Sequence, residues 1–169
     1  MNQKSCILYG APCSLYTGKA RSYLIKQGIA FREITPAAEH FVNTVVPAVH
    51  RWRMPVIELP GPVYIQDSTM IIDYFEKQPG VSSMLPTAPK QRIAALLLDL
   101  IGAEGLLRPA MHYRWNFNAD NEAFLEANFR TLVPGGSGEM TRDAMEQMRR
   151  AAASFGAVDK TLAVIEAVF

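Results

Sequence analysis

The sequence predicts an α/β domain followed by an all-helical domain. An apolar stretch at 5–9 predicts a buried strand, helical spacing of apolar residues over 14–27 predicts a helix, and alternation over 29–34 predicts a second strand. Residues 54–68 predict two short strands around a Pro-Gly-Pro turn. From residue 90 onward the apolar residues recur at the spacing of helices.

The α/β part is predicted to be one continuous unit over residues 1–78. A strand, a helix and a strand in this order predict a parallel pair with a right-handed crossover. Residues 35–53 are irregular with a short helix near 39–45, and a further helix is expected at 68–77. The predicted order is therefore β-α-β-α-β-β-α, an α/β sandwich.

The helical domain is predicted to begin after a linker at 79–89, and it covers residues 90–169. Helix-breaking residues punctuate the linker: Pro79, Gly80, Pro86 and Pro89. The first helix carries an apolar stripe: Ile93, Leu96, Leu97, Leu100, Ala103 and Leu107. Pro109 is expected to kink or end this helix. Further helices are predicted at about 120–132 and 139–155.

The last segment also predicts a helix. It places four apolar residues on one face: Val158, Leu162, Ile165 and Phe169. Because no glycine, asparagine or basic last turn closes this helix, we expect a fragment of a longer protein and an incomplete helical domain.

Composition excludes several classes of protein. The 169 residues are 49% hydrophobic and carry a formal net charge of +1, so a sizeable core is expected without a basic surface for nucleic acid or membrane binding. The longest apolar run, 93–98, is far too short to span a bilayer. The only two cysteines, Cys6 and Cys13, do not form a disulfide framework, which favours a cytoplasmic setting.

The stretch from Met54 to Ser68 predicts a binding site. Pro55 begins a strand without an N–H for the ladder, and we expect its bond to Met54 to be cis, which would leave the backbone of Met54 open to an extended ligand. Asp67 and Ser68 lie where the N–H groups of a helix start converge, which suits a carboxylate. Together these features predict a site for a small zwitterionic peptide, and glutathione is the candidate.

The sequence resembles the glutathione transferase superfamily. Three motifs carry the likeness: Leu8 to Tyr16 with Lys19-Ala20-Arg21, Met54-Pro55-Val56-Ile57, and Gln66-Asp67-Ser68 with Ile71, Ile72 and Tyr74. The resemblance implies a thioredoxin-like domain that holds glutathione as co-substrate and a helical domain that faces a small electrophile in detoxification. It also implies a homodimer in which each thioredoxin-like half meets the partner's helical half.

The resemblance also assigns candidate roles to single residues. Ser14 matches the catalytic serine or cysteine of some classes, where a hydroxyl at a helix N-terminus favours the thiolate, although a plain N-cap is the alternative. Cys13 is the rival, through a mixed disulfide with glutathione. Asp67 and Ser68 match the pair that holds the γ-glutamyl group. Met54 and Pro55 are expected at the cysteinyl part, with weaker candidates Gln66 and Arg53 at the polar ends of glutathione.

Three functions therefore remain open. The first is a transferase that activates glutathione, the second a non-catalytic binding module of the same fold, and the third a glutathione-dependent thiol reductase acting through Cys13. No metal is expected, because the three histidines lack the spacing of metal ligands: His40, His50 and His112.

Overall fold

The computed structural model describes residues 5–61, 63–156 and 159–168. The chain divides into two compact units. The first runs to Met84 and also includes Thr131–Ser137, and the second comprises Leu85–Arg130 and the chain from Gly138 onward. The main boundary, between Met84 and Leu85, falls inside the segment where the sequence predicts a linker. Three residues named in the predictions lie outside the described residues: Pro62, Val158 and Phe169.

The first unit is built on a four-stranded sheet of the thioredoxin-like type. Its strands are β1 (Cys6–Tyr9), β2 (Phe31–Ile34), β3 (Val56–Leu59) and β4 (Val63–Gln66), in the order β2-β1-β3-β4. β1 and β2 pair in parallel, whereas β3 is antiparallel to both β1 and β4. This sheet confirms the predicted fold class, including the parallel pair and the hairpin.

Helices cover one face of the sheet, and an irregular segment covers the other. Helices α1 (Leu15–Lys26) and α3 (Ser68–Glu76) share a core with one set of strand residues: Cys6, Leu8, Ile57 and Leu59. The alternate strand residues Tyr9 and Val56 pack instead against a π-helical turn (Phe41–Val45), which leads into helix α2 (Val46–Val49). Successive strand side chains point to opposite faces, so both faces of the central strands are buried.

The second unit is helical. It contains α4 (Pro89–Leu100), a π-helical turn (Ile101–Gly105), α5 (Leu107–Trp115), α6 (Asn118–Arg130), α7 (Gly138–Ser154) and α8 (Asp159–Val168). Its buried apolar side chains come mainly from the last four helices: Met111, Trp115, Leu125, Phe129, Met145, Ala152 and Ile165.

The break after α4 comes earlier than the sequence predicts. The apolar stripe predicts one helix up to Pro109, but the backbone widens at residues 101–105, where the Leu106 N–H donates to the Ile101 carbonyl. Pro109 lies in the first turn of α5, where a missing N–H removes no intrahelical hydrogen bond. The interruption therefore precedes the proline by about one turn.

Helix α4 differs from the other helices of this unit in its exposure. None of its residues is buried, and large apolar side chains on it and on the following residue are about half exposed or more: Ile93, Leu96, Leu97, Leu98, Leu100 and Ile101. An apolar surface of this kind marks an interaction site in many proteins.

Candidate functional site

The three predicted site segments meet at one edge of the sheet. Tyr9, the last residue of β1, pairs with Val56, and Val56 pairs in turn with Gln66, the last residue of β4. The chain after β1, the chain before β3 and the chain after β4 therefore emerge side by side. This register brings together the segments 11–14, 53–55 and 67–68, as the motifs require.

Ser14 caps the N-terminus of α1. Its backbone is extended, with φ −82° and ψ 123°, and its Oγ accepts the Thr17 N–H at 3.2 Å. A hydroxyl that accepts one hydrogen bond still has its own hydrogen to donate. The capping role that the sequence left open is therefore observed, and it leaves the Ser14 hydroxyl able to act as a donor toward a ligand.

The loop before Ser14 is held tightly against α1. Ala11 donates its N–H to Thr17 Oγ1 at 3.4 Å, and Thr17 is fully buried. A Cβ on Gly10 would lie 2.2 Å from the Thr17 Cγ2, so only glycine fits at this close approach.

Arg21 fixes the same loop from the other side. Its guanidinium binds both carboxylate oxygens of Glu33 at 2.6 and 2.7 Å and donates to the Ala11 carbonyl at 3.3 Å. The hydrogen bond to Glu33 raises the pKa of Arg21 above its usual value. The sequence motif contains Arg21 but does not indicate its role, because the partner Glu33 lies on the next strand, β2.

The bond between Met54 and Pro55 is cis, which confirms the prediction. Pro55 is buried and Met54 is half-buried. Among the residues that the structure describes, none forms a hydrogen bond with the backbone N–H or C=O of Met54. These two groups are therefore available to an extended ligand at the edge of the sheet.

The polar candidates beside Met54 have different surroundings. The Gln66 amide nitrogen donates to the carbonyls of Arg51 and Arg53, at 3.1 and 2.9 Å. Arg53 itself is exposed. The assignment of Gln66 and Arg53 to the ends of glutathione stays a prediction, but the donor groups of Gln66 are committed to the protein backbone.

Asp67 and Ser68 form the start of α3. Asp67 has φ 84°, and its Oδ1 accepts the N–H groups of Thr69 and Met70 at 2.8 and 3.4 Å. Ser68, the first helical residue, is buried, and no other described residue hydrogen-bonds its hydroxyl. Lys19 of α1 donates to Thr69 Oγ1 at 3.0 Å and so links the beginnings of the two helices. Two helix N-termini therefore lie near each other at this edge.

The other thiol and hydroxyl candidates are placed as follows. Cys13 is half-buried beside Ser14. The Tyr9 hydroxyl lies near this loop in sequence, but Tyr9 is buried and donates to Glu58 Oε2 at 2.8 Å. Burial, followed by the hydrogen bond to Glu58, raises the pKa of Tyr9 far above its usual value.

The helical unit contains one further feature of note, an open cleft of about 400 Å³. It is lined by residues from the π-helical turn, the start of α5, the end of α7 and the two residues after α7: Glu104, Leu107, Arg108, Ser154, Phe155 and Gly156. His112 lies elsewhere in this unit, buried, with its ring nitrogens 3.0 Å from Glu166 Oε1 and 2.8 Å from Asn116 Nδ2. His112 therefore joins α5 to α8.

Two searches for other kinds of site gave negative results over the described part of the chain. Residues 5–61, 63–156 and 159–168 contain no cluster of three histidine, cysteine or acidic side chains suited to a metal ion. Among the helices that the structure describes, none combines the length and apolar character needed to cross a membrane.

Comparison with known proteins agrees with the fold. Residues 8–83 match the family model of the glutathione S-transferase N-terminal domain. A glutathione S-transferase of Ceriporiopsis subvermispora in complex with glutathione is 19% identical with a TM-score of 0.57, over 94% of this chain and 63% of that chain. A glutathione transferase of Phanerochaete chrysosporium is 18% identical with a TM-score of 0.56, over 87% and 62%.

A third structure extends the comparison to bacteria. The glutathione S-transferase of Methylobacterium radiotolerans, in complex with glutathione sulfonate, is 23% identical with a TM-score of 0.51, over 76% of this chain and 62% of that chain. The present chain therefore spans less than two thirds of the length of each of these three chains. No curated protein sequence matches it significantly.

The thioredoxin-like sheet with its edge site and the helical second unit define the architecture of a glutathione transferase. Residues 8–83 therefore match the glutathione S-transferase N-terminal domain, and the fold of the described chain is similar to that of solved glutathione transferases.

Proposed function

We propose that this protein binds glutathione at the edge of the sheet and activates its thiol for attack on a small electrophile. One observation carries the proposal: the unpaired backbone of Met54 lies on the same sheet edge as the N-termini of α1 and α3. Glutathione is an extended peptide with a charged γ-glutamyl end and a central thiol, and each of these parts has a matching group here.

The γ-glutamyl end is assigned to the start of α3. Its carboxylate would accept hydrogen bonds from the N–H groups of the first turn and from the Ser68 hydroxyl. Its amine would meet the carboxylate of Asp67, whose Oδ1 already caps the helix while no other described residue hydrogen-bonds Oδ2. Similar proteins from Ceriporiopsis and Methylobacterium were solved with glutathione and glutathione sulfonate, which supports this class of ligand.

The thiol is assigned to the start of α1. Once the cysteinyl backbone pairs with Met54, the sulfur lies toward Ser14, whose hydroxyl donates to the thiolate. The helix N-terminus adds a partial positive charge that favours the same anion. In the reaction the thiol loses its proton to solvent, the sulfur forms a bond to the electrophilic carbon, and a leaving group departs with its electron pair or an anion is formed and protonated.

Calorimetry with glutathione tests the binding step. We expect the unaltered chain to bind and Ser68→Ala to bind about tenfold more weakly, since a charged partner loses one hydrogen bond. Ser22→Ala is the matched control, because Ser22 is exposed on α1. Equal affinities for glutathione in the unaltered chain and the Ser68→Ala variant would contradict the assignment.

We also propose that α4 mediates a homodimer. Ile93, Leu96, Leu97 and Leu100 form an exposed apolar stripe, and Arg92 and Asp99 lie seven residues apart along one flank of it. Two α4 helices can pair in antiparallel orientation with Ile93 of one copy against Leu96 of the other. In this pair Arg92 of each copy faces Asp99 of the other copy. Both the apolar stripe and its flanking charges are therefore complementary to themselves. The arrangement in which each thioredoxin-like half meets the partner's helical half stays a prediction.

The cytoplasm remains the proposed location. Cys6 and Cys13 form no disulfide with each other, as suits a reducing compartment.

A further inference from the structure

Gln66 joins two parts of the proposed glutathione site. It is the last residue of β4 and immediately precedes Asp67 and Ser68. Its amide nitrogen donates both hydrogens across to the neighbouring loop, to the carbonyls of Arg51 and Arg53. One side chain therefore ties the strand that leads to the γ-glutamyl site to the loop that leads to Met54.

The loop at residues 51–53 has few other restraints. It follows His50, a left-handed residue with φ 58° that ends α2. Within the loop the Arg53 N–H donates to the Arg51 carbonyl, and the Trp52 ring contacts Phe41 edge-on. Arg51, Trp52 and Arg53 are all exposed, so the burial of these side chains contributes little to the position of the loop.

We infer that Gln66 is a positioning residue for glutathione, acting through the Met54 backbone without touching the ligand. This inference rests on the proposed function. To satisfy both carbonyls, the side chain must place at least two hydrogens on one nitrogen at about this distance from the backbone. A carboxylate at the same place is acceptor-only and would face two carbonyl oxygens. When the loop is released, the Met54 N–H and C=O no longer hold the spacing that a peptide partner needs.

Three substitutions separate positioning from direct contact. Gln66→Met removes the amide and keeps the length of the side chain. Gln66→Glu keeps an oxygen acceptor but no donor, and Gln66→Lys keeps donors but no acceptor. If Gln66 positions the loop, Gln66→Met and Gln66→Glu should bind glutathione about tenfold more weakly, whereas Gln66→Lys should largely keep the affinity. If the Gln66 oxygen instead contacts glutathione, Gln66→Glu should bind more tightly than Gln66→Lys, and this result would overturn the inference.

A comparison of two ligands in a neutral variant avoids the charge that Gln66→Glu and Gln66→Lys introduce. The neutral-isostere variant Gln66→Met is compared with the unaltered chain for glutathione and for γ-glutamylmethylamide, which reaches the start of α3 but has no cysteinyl carbonyl to pair with Met54. We expect about tenfold weaker binding of glutathione and a change of less than about twofold for the fragment. If Gln66→Met weakens the binding of both ligands equally, Gln66 acts at the γ-glutamyl group, and this result would overturn the inference.

Hydrogen exchange of the ligand-free protein supplies a readout independent of affinity. In Gln66→Met the amide of Arg53, which donates to the Arg51 carbonyl, should exchange faster, whereas the amide of Leu8 in the central strand should not change. Unchanged exchange at Arg53 would overturn the inference. If the unaltered chain itself fails to bind glutathione, the proposed function fails first, and this inference fails with it. If it binds and Gln66→Met binds equally well, only the inference fails.

Discussion

Tyr9 donates its phenolic hydrogen to Glu58 Oε2 at 2.8 Å, on the face of the sheet that packs against the π-helical turn. The same oxygen lies 3.2 Å from His40 Nε2. Tyr9 lies only two residues before Ala11, in the chain that leads to Ser14, but its hydroxyl donates to Glu58. A structural role for Tyr9 and a chemical role for Ser14 are therefore separable by mutation.

Alkaline pH tests the structural role of Tyr9. Burial and Glu58 raise the pKa of Tyr9 in the folded protein, so its contribution to stability is complete below about pH 10 and is lost as the pH rises further. We expect Tyr9→Phe to unfold more easily at neutral pH, by about 1 kcal/mol, and to lose less stability between about pH 10 and 11.5. Urea unfolding across this range measures both effects.

Tyr113→Phe is the control for this experiment, because Tyr113 lies on α5 with 43% of its surface exposed. It should lose stability above pH 10 as steeply as the unaltered chain does. A Tyr9→Phe variant with the same slope as the unaltered chain would contradict the assigned role of Glu58.

Ser14 substitutions separate capping from thiol activation. Ser14→Ala loses both roles, at a cost of about 0.5–2 kcal/mol in stability. Ser14→Asp keeps an acceptor for the Thr17 N–H but cannot donate to a thiolate and repels it. We expect Ser14→Asp to keep the unaltered Tm and to conjugate a model electrophile at least about tenfold more slowly at pH 7, with a smaller deficit as the pH rises toward the thiol pKa of about 8.5.

Cys13→Ser distinguishes the thiol-reductase function. We expect it to conjugate the same electrophile at nearly the unaltered rate, and the Ser22→Ala control likewise. An inactive Cys13→Ser variant beside an active Ser14→Asp variant would reject the serine mechanism. Glutathione binding without turnover in the unaltered chain would favour the non-catalytic binding module.

Asp67 is expected to combine a helix cap with recognition of the ligand amine. Asp67→Asn keeps an oxygen at the cap and removes the charge, so its Tm should change little. Glutathione binding should weaken by about 1–3 kcal/mol, because the ligand ammonium loses a charged partner. Asp73→Asn, an exposed change on the same helix, is the control in calorimetry. An unchanged affinity of Asp67→Asn for glutathione would contradict the placement of the ligand amine at Asp67.

The proposed dimer makes a charge-reversal prediction. Arg92→Asp and Asp99→Arg should each shift the monomer–dimer equilibrium toward monomer, because like charges then face each other across the antiparallel helices. The double variant restores opposite charges and should recover the dimer. Sedimentation velocity over a range of concentrations measures this. A double variant as monomeric as either single one would contradict the antiparallel register.

The sequence was sufficient for the parts of the fold that depend on local pattern. The apolar stretch at 5–9 and the alternation at 29–34 predicted the first two strands, Pro55 predicted the cis bond, and Asp67 indicated the start of a helix. The parallel pair and the hairpin followed from the order of the elements, because a β-α-β unit and two strands joined by a tight turn leave few topologies.

Contacts between distant residues were not predictable from local pattern. Tyr9 and Glu58 are 49 residues apart, and the Gln66 contacts with Arg51 and Arg53 need the loop geometry that His50 sets. The break before Pro109 was placed one turn late, because apolar periodicity continues through a π-helical turn while the backbone does not. Each of these features depends on tertiary structure.

The thiol pKa of bound glutathione tests the central claim most directly. Thiolate absorbance is titrated for glutathione in complex with the unaltered chain, with free glutathione as the reference. A thiol held by the Ser14 hydroxyl at the N-terminus of α1 should ionise at least one unit below its free value of about 8.5, which corresponds to about 1.4 kcal/mol in favour of the thiolate. A bound thiol that titrates at the free value would contradict activation at this site.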